Sequence, residues 1–257
     1  MKPVHKCGST AQARRSQRAW HSLPLGRRLL AEECAQLERA LPDLFGYHLL
    51  QLGHPAGADL TGASRVRHRM VMESEPGGVG RHYQVGLIGA AQALPVAADS
   101  VDVVILPHSL EFEDEPHQVL REAERVLIPE GHLVVLGFNP WSLWGLWRIV
   151  LRLRGRPPWR GRFLSTVRLK DWLALLGFDT LGVRYYFFRP PLQSETVMQK
   201  LNFLERLGKR YWPHFAGGYL LLAKKRVATL TPIKPRWSAQ RLVRAGAAEP
   251  TARVGHE

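Results

Sequence analysis

Cysteine is nearly absent. Two residues, Cys7 and Cys34, in a chain of 257 cannot form a disulfide framework, so the sequence suits a reducing compartment and is expected in the cytoplasm. No Cys/His spacing points to a metal site. Long apolar runs are missing too. None reaches the ~18 residues that a membrane-spanning helix needs, and the polar, basic N-terminus carries no secretory signal. Acids are absent from positions 1–28, which hold seven Lys/Arg, and scarce in 226–257, which hold six Lys/Arg and two acids. Most of the net charge of +14 therefore sits in the two ends. Such ends attract nucleic acid or anionic lipid without specificity, and without a hydrophobic pattern they are expected to be disordered.

The middle of the chain is long enough for one α/β domain with its own core. The expected organisation is a basic arm at 1–21, a domain at 22–225 and a basic tail at 226–257. A helix is expected over 25–41, capped by Ser22, with Pro24 in its first turn and Leu30, Cys34, Leu37 and Leu41 as its apolar stripe. Strands are expected at 47–52, 65–72, 84–88 and 101–106. The last is almost wholly apolar, as a strand covered on both faces should be. A helix at 116–127, capped by Asp114 or Glu115, places Val119, Leu120, Ala123, Val126 and Leu127 on one face. The turn Pro129-Glu130-Gly131 leads into a strand at 133–138, a helix follows at 169–176 with Gly177 ending it, and strands at 180–188 and 218–223 close the sheet. Strands alternating with helices over short links predict a doubly wound sheet.

Specific text lies within residues 51–138. Gln51-Leu52-Gly53-His54-Pro55-Ala56-Gly57 ends the first strand, Ala90-Ala91-Gln92-Ala93-Leu94-Pro95 follows the third, and Asp99-Ser100-Val101-Asp102 opens the fourth. Leu110-Glu111 and Arg125-Val126-Leu127 then precede Pro129 and Gly131. In this order, over roughly 45–138 with looser support to 223, the chain resembles the class I S-adenosylmethionine (SAM) methyltransferases of the type 11 sort. The resemblance implies a Rossmann-like, mostly parallel seven-stranded α/β sheet and SAM as cofactor.

Carried onto this chain, the resemblance assigns Gln51, Gly53, His54, Gly57, Glu73, Gln92 and Leu94 to the cofactor. Gly53 and Gly57 match the outer glycines of the family's Gly-x-Gly-x-Gly loop, but Pro55 replaces the middle glycine and Gln51 the preceding acid. Proline has no N–H and a fixed φ, so this loop departs from the usual one. Glu73, 22 residues after Gln51, stands where a ribose-binding acid is expected, with Glu75 as a rival. Ala90 takes the place of the adenine-reading Asp, leaving Gln92 for that edge. His108, after the fourth strand, is the candidate base for a hydroxyl or enol acceptor, whereas Glu111 reads as structural. There is no Asn/Asp-Pro-Pro-Tyr motif, so methylation of amino groups on bases has no support.

An insertion at 139–168 packs Trp141, Trp144 and Trp147 into seven residues, and eight Lys/Arg with no acid run from Arg148 to Lys170. Tryptophans backed by arginines suit a lid over an apolar acceptor, a membrane interface, or stacking on nucleic acid, the last less favoured. The expectation is SAM-dependent methyl transfer to a small or lipid-like acceptor, with peripheral contact at a membrane. The competing reading is a non-catalytic methyltransferase-like binding module.

Overall fold

The computed structural model describes residues 16, 17, 19–55, 59–74, 85–151, 159, 161–191 and 202–226. The chain divides into two compact units, Met1–Val227 and Ala228–Glu257, of which the second lies outside the described residues. So do residues 1–15 of the expected arm, Gly57, Glu75 and most of the arginine-rich run at 152–160.

The strands are β1 (His48–Leu52), β2 (His68–Glu73), β3 (Val85–Ile88), β4 (Val101–Pro107), β5 (Leu127–Phe138), β6 (Phe178–Tyr186) and β7 (Gly218–Lys225). The helices are α1 (Pro24–Glu38), α2 (Pro116–Val126), α3 (Leu143–Leu151), α4 (Thr166–Leu175) and α5 (Asn202–Tyr211). One seven-stranded sheet runs β3-β2-β1-β4-β5-β7-β6, parallel except for β7, which is antiparallel to both its neighbours. The order reverses between β1 and β4, which opens a crevice at their carboxyl ends.

Both faces of the sheet are covered, and the period-two alternation of the strands sorts their residues. Leu49, Val103, Ile105, Val134 and Leu136 pack under α1 with Trp20, Phe138 and Trp144. Leu50, Val104, Leu106, Leu133 and Val135 pack under α2 and α4. Asp102 fixes the sheet at its other end, its carboxylate accepting from the backbone N–H groups of Tyr47 and His48 at 3.0 and 2.9 Å. Gly137 lies against the buried ring of Tyr219, where a Cβ would come within 2.5 Å of the hydroxyl. Gly137→Ala should therefore cost roughly 1–3 kcal/mol, read as a lower urea midpoint at an unchanged slope.

Three local details differ from expectation. Leu23, not Ser22, occupies the N-cap of α1 and makes no side-chain bond, while Ser22 Oγ donates back to Ala19 O at 3.0 Å. The helix stops at Glu38, and a 3-10 turn follows at Leu41–Asp43, where Pro42 cannot continue the α ladder. The buried face of α1 is wider than the expected stripe: it keeps Leu30 and Leu37 and adds Leu25, Leu29, Glu33 and Gln36, with Cys34 only half-buried. In addition, β5 starts six residues before position 133, because a register shift against β4 lets the Pro129-Glu130-Gly131 segment join the strand, with Glu130 at φ 64°. Ser165 caps α4, accepting from Arg168 N, and Gly177 ends it at φ +80°.

Candidate active site

The ends of β1, β2 and β4 meet at the reversal point, joined by the helical segment that holds Gln17 and His21. Gly53, directly after β1, adopts φ +91°, a region open to glycine at little cost. Its N–H donates to Met72 O at 2.9 Å. Ser109 Oγ donates to Leu52 O at 2.6 Å and so ties the end of β4 to the end of β1. Together with His54, Pro55, Glu73 and His108, and with Gln17 and His21, these residues line a small, partly open cavity.

The expected cofactor residues divide into two sets. Gly53, His54 and Glu73 share the cavity, and Glu73 is buried at 1% exposure. Gln51 is fully buried and does not line this cavity. Its amide donates to Gly53 O at 2.7 Å, and its Oε1 has no hydrogen-bond partner among the described residues. A buried acceptor without a donor is costly, so this oxygen suits a ligand that brings an N–H. Gln92 and Leu94 belong to the turn after β3 and do not line this cavity. Gln92 donates to Glu113 at 3.1 Å. Leu94 is packed in the core, its backbone held by the carboxylate of Glu122 and the guanidinium of Arg125. The three tryptophans do not form one surface. Trp144 is 1% exposed, ringed by Trp20, Phe138, Trp159 and Phe187, and its Nε1 donates to Arg189 O at 2.9 Å. Trp141 and Trp147, three positions to either side, are exposed.

His108 is the best-held side chain in the site. Its backbone is in the left-handed region at φ 52°, and its ring stacks on Phe138. Nε2 lies 2.7 Å from Glu33 Oε1, and Nδ1 lies 3.2 Å from Glu111 Oε2. Glu111 also accepts from Phe138 N at 2.6 Å, and Tyr186 donates to Glu33 at 3.3 Å. Burial alone would lower the pKa of His108, but the charges of Glu33 and Glu111 outweigh it and raise the value to about 10. The imidazolium has both nitrogens committed and no lone pair with which to take a proton.

A second histidine, His21, has the opposite character. It is fully buried, and its Nδ1 lies 2.9 Å from Gln17 O, which fixes the proton there. Nε2 is therefore an acceptor, and it has no partner among the described residues. Burial, together with the cation of His108 at a ring separation of 6.2 Å, outweighs the pull of Glu33 and lowers its pKa to about 4. Residues 1–21 were expected to be an arm, yet Trp20 and His21 are helical and buried, Trp20 in the core and His21 against the cavity. Sequence reading missed both His21 and Glu33. The available signal for Glu33 was its position four residues from both Leu29 and Leu37, in register with the stripe begun by Leu25. Among the described residues, no group of three or more His, Cys, Asp or Glu could hold a metal ion.

Residues 58–135 match the family described as a methyltransferase domain. The uncharacterized protein YafS of Escherichia coli is 35% identical over 175 residues, which are 66% of this chain and 69% of YafS. The chain belongs to the class I SAM-dependent methyltransferases. Solved structures of other methyltransferases share its fold. A SAM-dependent methyltransferase of Thermotoga maritima, described as a possible histamine N-methyltransferase, superposes with a TM-score of 0.55 at 18% identity, covering 76% of this chain and 89% of its own. The N-methyltransferase NodS of Bradyrhizobium japonicum, solved with S-adenosylhomocysteine, gives 0.57 at 14% identity, covering 84% and 98%. The cofactor of this methyltransferase domain is SAM, and the buried acceptor on Gln51 and the open turn at Gly53 fit it.

Proposed function

We propose that this domain transfers a methyl group from SAM to a protic small or lipid-like acceptor, an O–H or N–H compound that donates to His21. The observation that carries the reading is the unpartnered Nε2 of His21, buried in the cavity that also holds Gly53, His54 and Glu73. When bound, SAM supplies a methyl group on a cationic sulfur, open to attack by a lone pair.

The chain's own residues position and balance charge. Gln51 Oε1 takes an ammonium N–H, and Glu73 takes the ribose hydroxyls. Around His108, two carboxylates and one imidazolium leave one net negative charge at the carboxyl end of β4. This charge supplies the attraction for a cationic cofactor that neutral Gln51 does not. His21 stays neutral across physiological pH, and its lone pair orients the acceptor's X–H while the heteroatom faces the methyl. An O–H acceptor becomes strongly acidic once its oxygen bonds the methyl group, so the weakly basic Nε2 of His21 takes that proton and passes it to solvent. A methylated amine instead leaves with its proton and loses it in water.

The test is turnover of methyl-labelled SAM by the purified full chain against hydroxylated and amino small molecules, phospholipid and sterol fractions, and nucleic acid. The reading expects label in one small-molecule or lipid fraction, with S-adenosylhomocysteine formed in equal amount. SAM binding without turnover on any fraction would mean a non-catalytic module, a reading that the Pro55 and Ala90 departures favour. Label in nucleic acid alone would overturn the proposed acceptor class.

A further inference from the structure

Three arginines from separate segments converge on one broad pocket that is open to solvent. Arg121 comes from α2, Arg168 from α4, and Arg162 from the stretch that leads into α4. Each guanidinium is without a carboxylate partner among the described residues. Arg125, one turn further along α2, is by contrast closed on Glu122 at 2.9 Å. Asp114 and Glu115 also line the pocket, yet neither forms an ion pair with the three arginines. Like charges gathered in one concavity repel each other, so a cluster left unneutralised suits an anion from outside.

Packing holds the arrangement. Arg162 N donates to Glu111 O at 2.7 Å, and Gly161 beside it lies against Phe112, where a Cβ would come within 3.1 Å of the ring. Arg168 N donates to the Ser165 cap at 3.3 Å. The rings of His117 and Trp172 have centroids 3.6 Å apart, which joins α2 to α4, and Arg168 sits over the same indole at 5.8 Å. A guanidinium restrained in this way loses less side-chain freedom when it meets a ligand. The loop from β4 to α2 runs from the candidate active site, at His108 and Ser109, to the pocket wall at Asp114. Chemistry narrows the ligand. Planar guanidiniums match phosphate oxygens, and a phosphate dianion can meet several of them, whereas one fork serves a carboxylate. Asp114 and Glu115 on the wall oppose an extended polyanion such as nucleic acid and leave room for a single phosphate.

We infer that this pocket binds a phosphate group, free or carried by a small molecule, with Arg121, Arg162 and Arg168 meeting its oxygens. The inference does not rest on methyl transfer, because anion binding is measured without cofactor or acceptor.

The experiment is calorimetric titration of the full chain with inorganic phosphate and with glycerol 3-phosphate, at an ionic strength held constant with chloride. The double variant Arg121→Gln/Arg168→Gln is compared with Arg67→Gln/Arg184→Gln, which removes the same charge at exposed positions outside the pocket. All three proteins are checked for equal melting temperature, and Arg121→Gln alone carries the comparison if the first double variant melts earlier. The expected result is saturable binding at one site per chain that weakens by roughly 10-fold or more in the pocket variant and is kept by the control. Tighter binding of inorganic phosphate would make the free anion the ligand, and tighter binding of glycerol 3-phosphate a phosphorylated small molecule. No saturation with either probe would overturn the inference. So would equal weakening in both double variants, which would assign the effect to net charge.

Discussion

Replacing Glu33 by alanine is expected to destabilise the domain by roughly 3–5 kcal/mol, the cost of removing one partner from a buried ion pair. Glu33 is fully buried on α1, 75 residues before the imidazolium that it meets at 2.7 Å. Without it, Glu111 alone faces His108, and the hydroxyl of Tyr186 loses its acceptor. Glu33→Gln keeps an oxygen in place and should cost less. The two variants also differ from wild type in pH response. The pKa of His108 is raised in the fold, so its contribution to stability is full below its ordinary value of 6.5 and is lost as pH rises through about 10. In Glu33→Ala that loss should begin at lower pH. Urea titrations at pH 6, 8 and 9.5 check both the size and the direction. If the cluster's negative charge attracts the sulfonium, Glu33→Gln should also weaken SAM more than neutral S-adenosylhomocysteine. Equal weakening of both would limit the cluster to a structural role.

His21→Ala should reduce kcat/KM by at least ~10²-fold, the low end of what a positioned proton-accepting group contributes, with the affinity for SAM changed little. His21→Gln, which keeps an acceptor oxygen, should recover part of the rate. A structural role alone would lower stability in both variants and leave the rate of the remaining folded enzyme intact. Acid stability gives an independent check. The pKa of His21 falls from 6.5 to about 4 in the fold. The unfolded chain therefore binds the proton first, and wild type loses stability as pH drops from 6.5 towards 4, by an amount on the order of 3 kcal/mol. The alanine variant should lack that acid limb.

The sheet was largely legible because its signals are local. The apolar run of β4, the one-sided face of α2 and the Gly177 stop after α4 each depend on neighbours in sequence. The family resemblance then supplied the strand count. The site was less legible because its decisive contacts are distant. Glu33 reads as an ordinary helix acid until α1 is docked on the sheet, and only then does it meet His108. His21 sits in a stretch whose basic composition argues for disorder, while its burial depends on the aromatic cluster of Trp20, Phe138 and Trp144. Trp144 shows the same limit. Three tryptophans spaced by three point in different directions around a helix, and only the packed core shows which one turns inward.

The most direct test is calorimetric titration of the purified full chain with SAM and with S-adenosylhomocysteine. The account predicts saturable binding of both at one site per chain, weakened at least 10-fold by Glu73→Ala at unchanged fold. Folded wild-type protein that gives neither heat nor a thermal shift with either compound would contradict it.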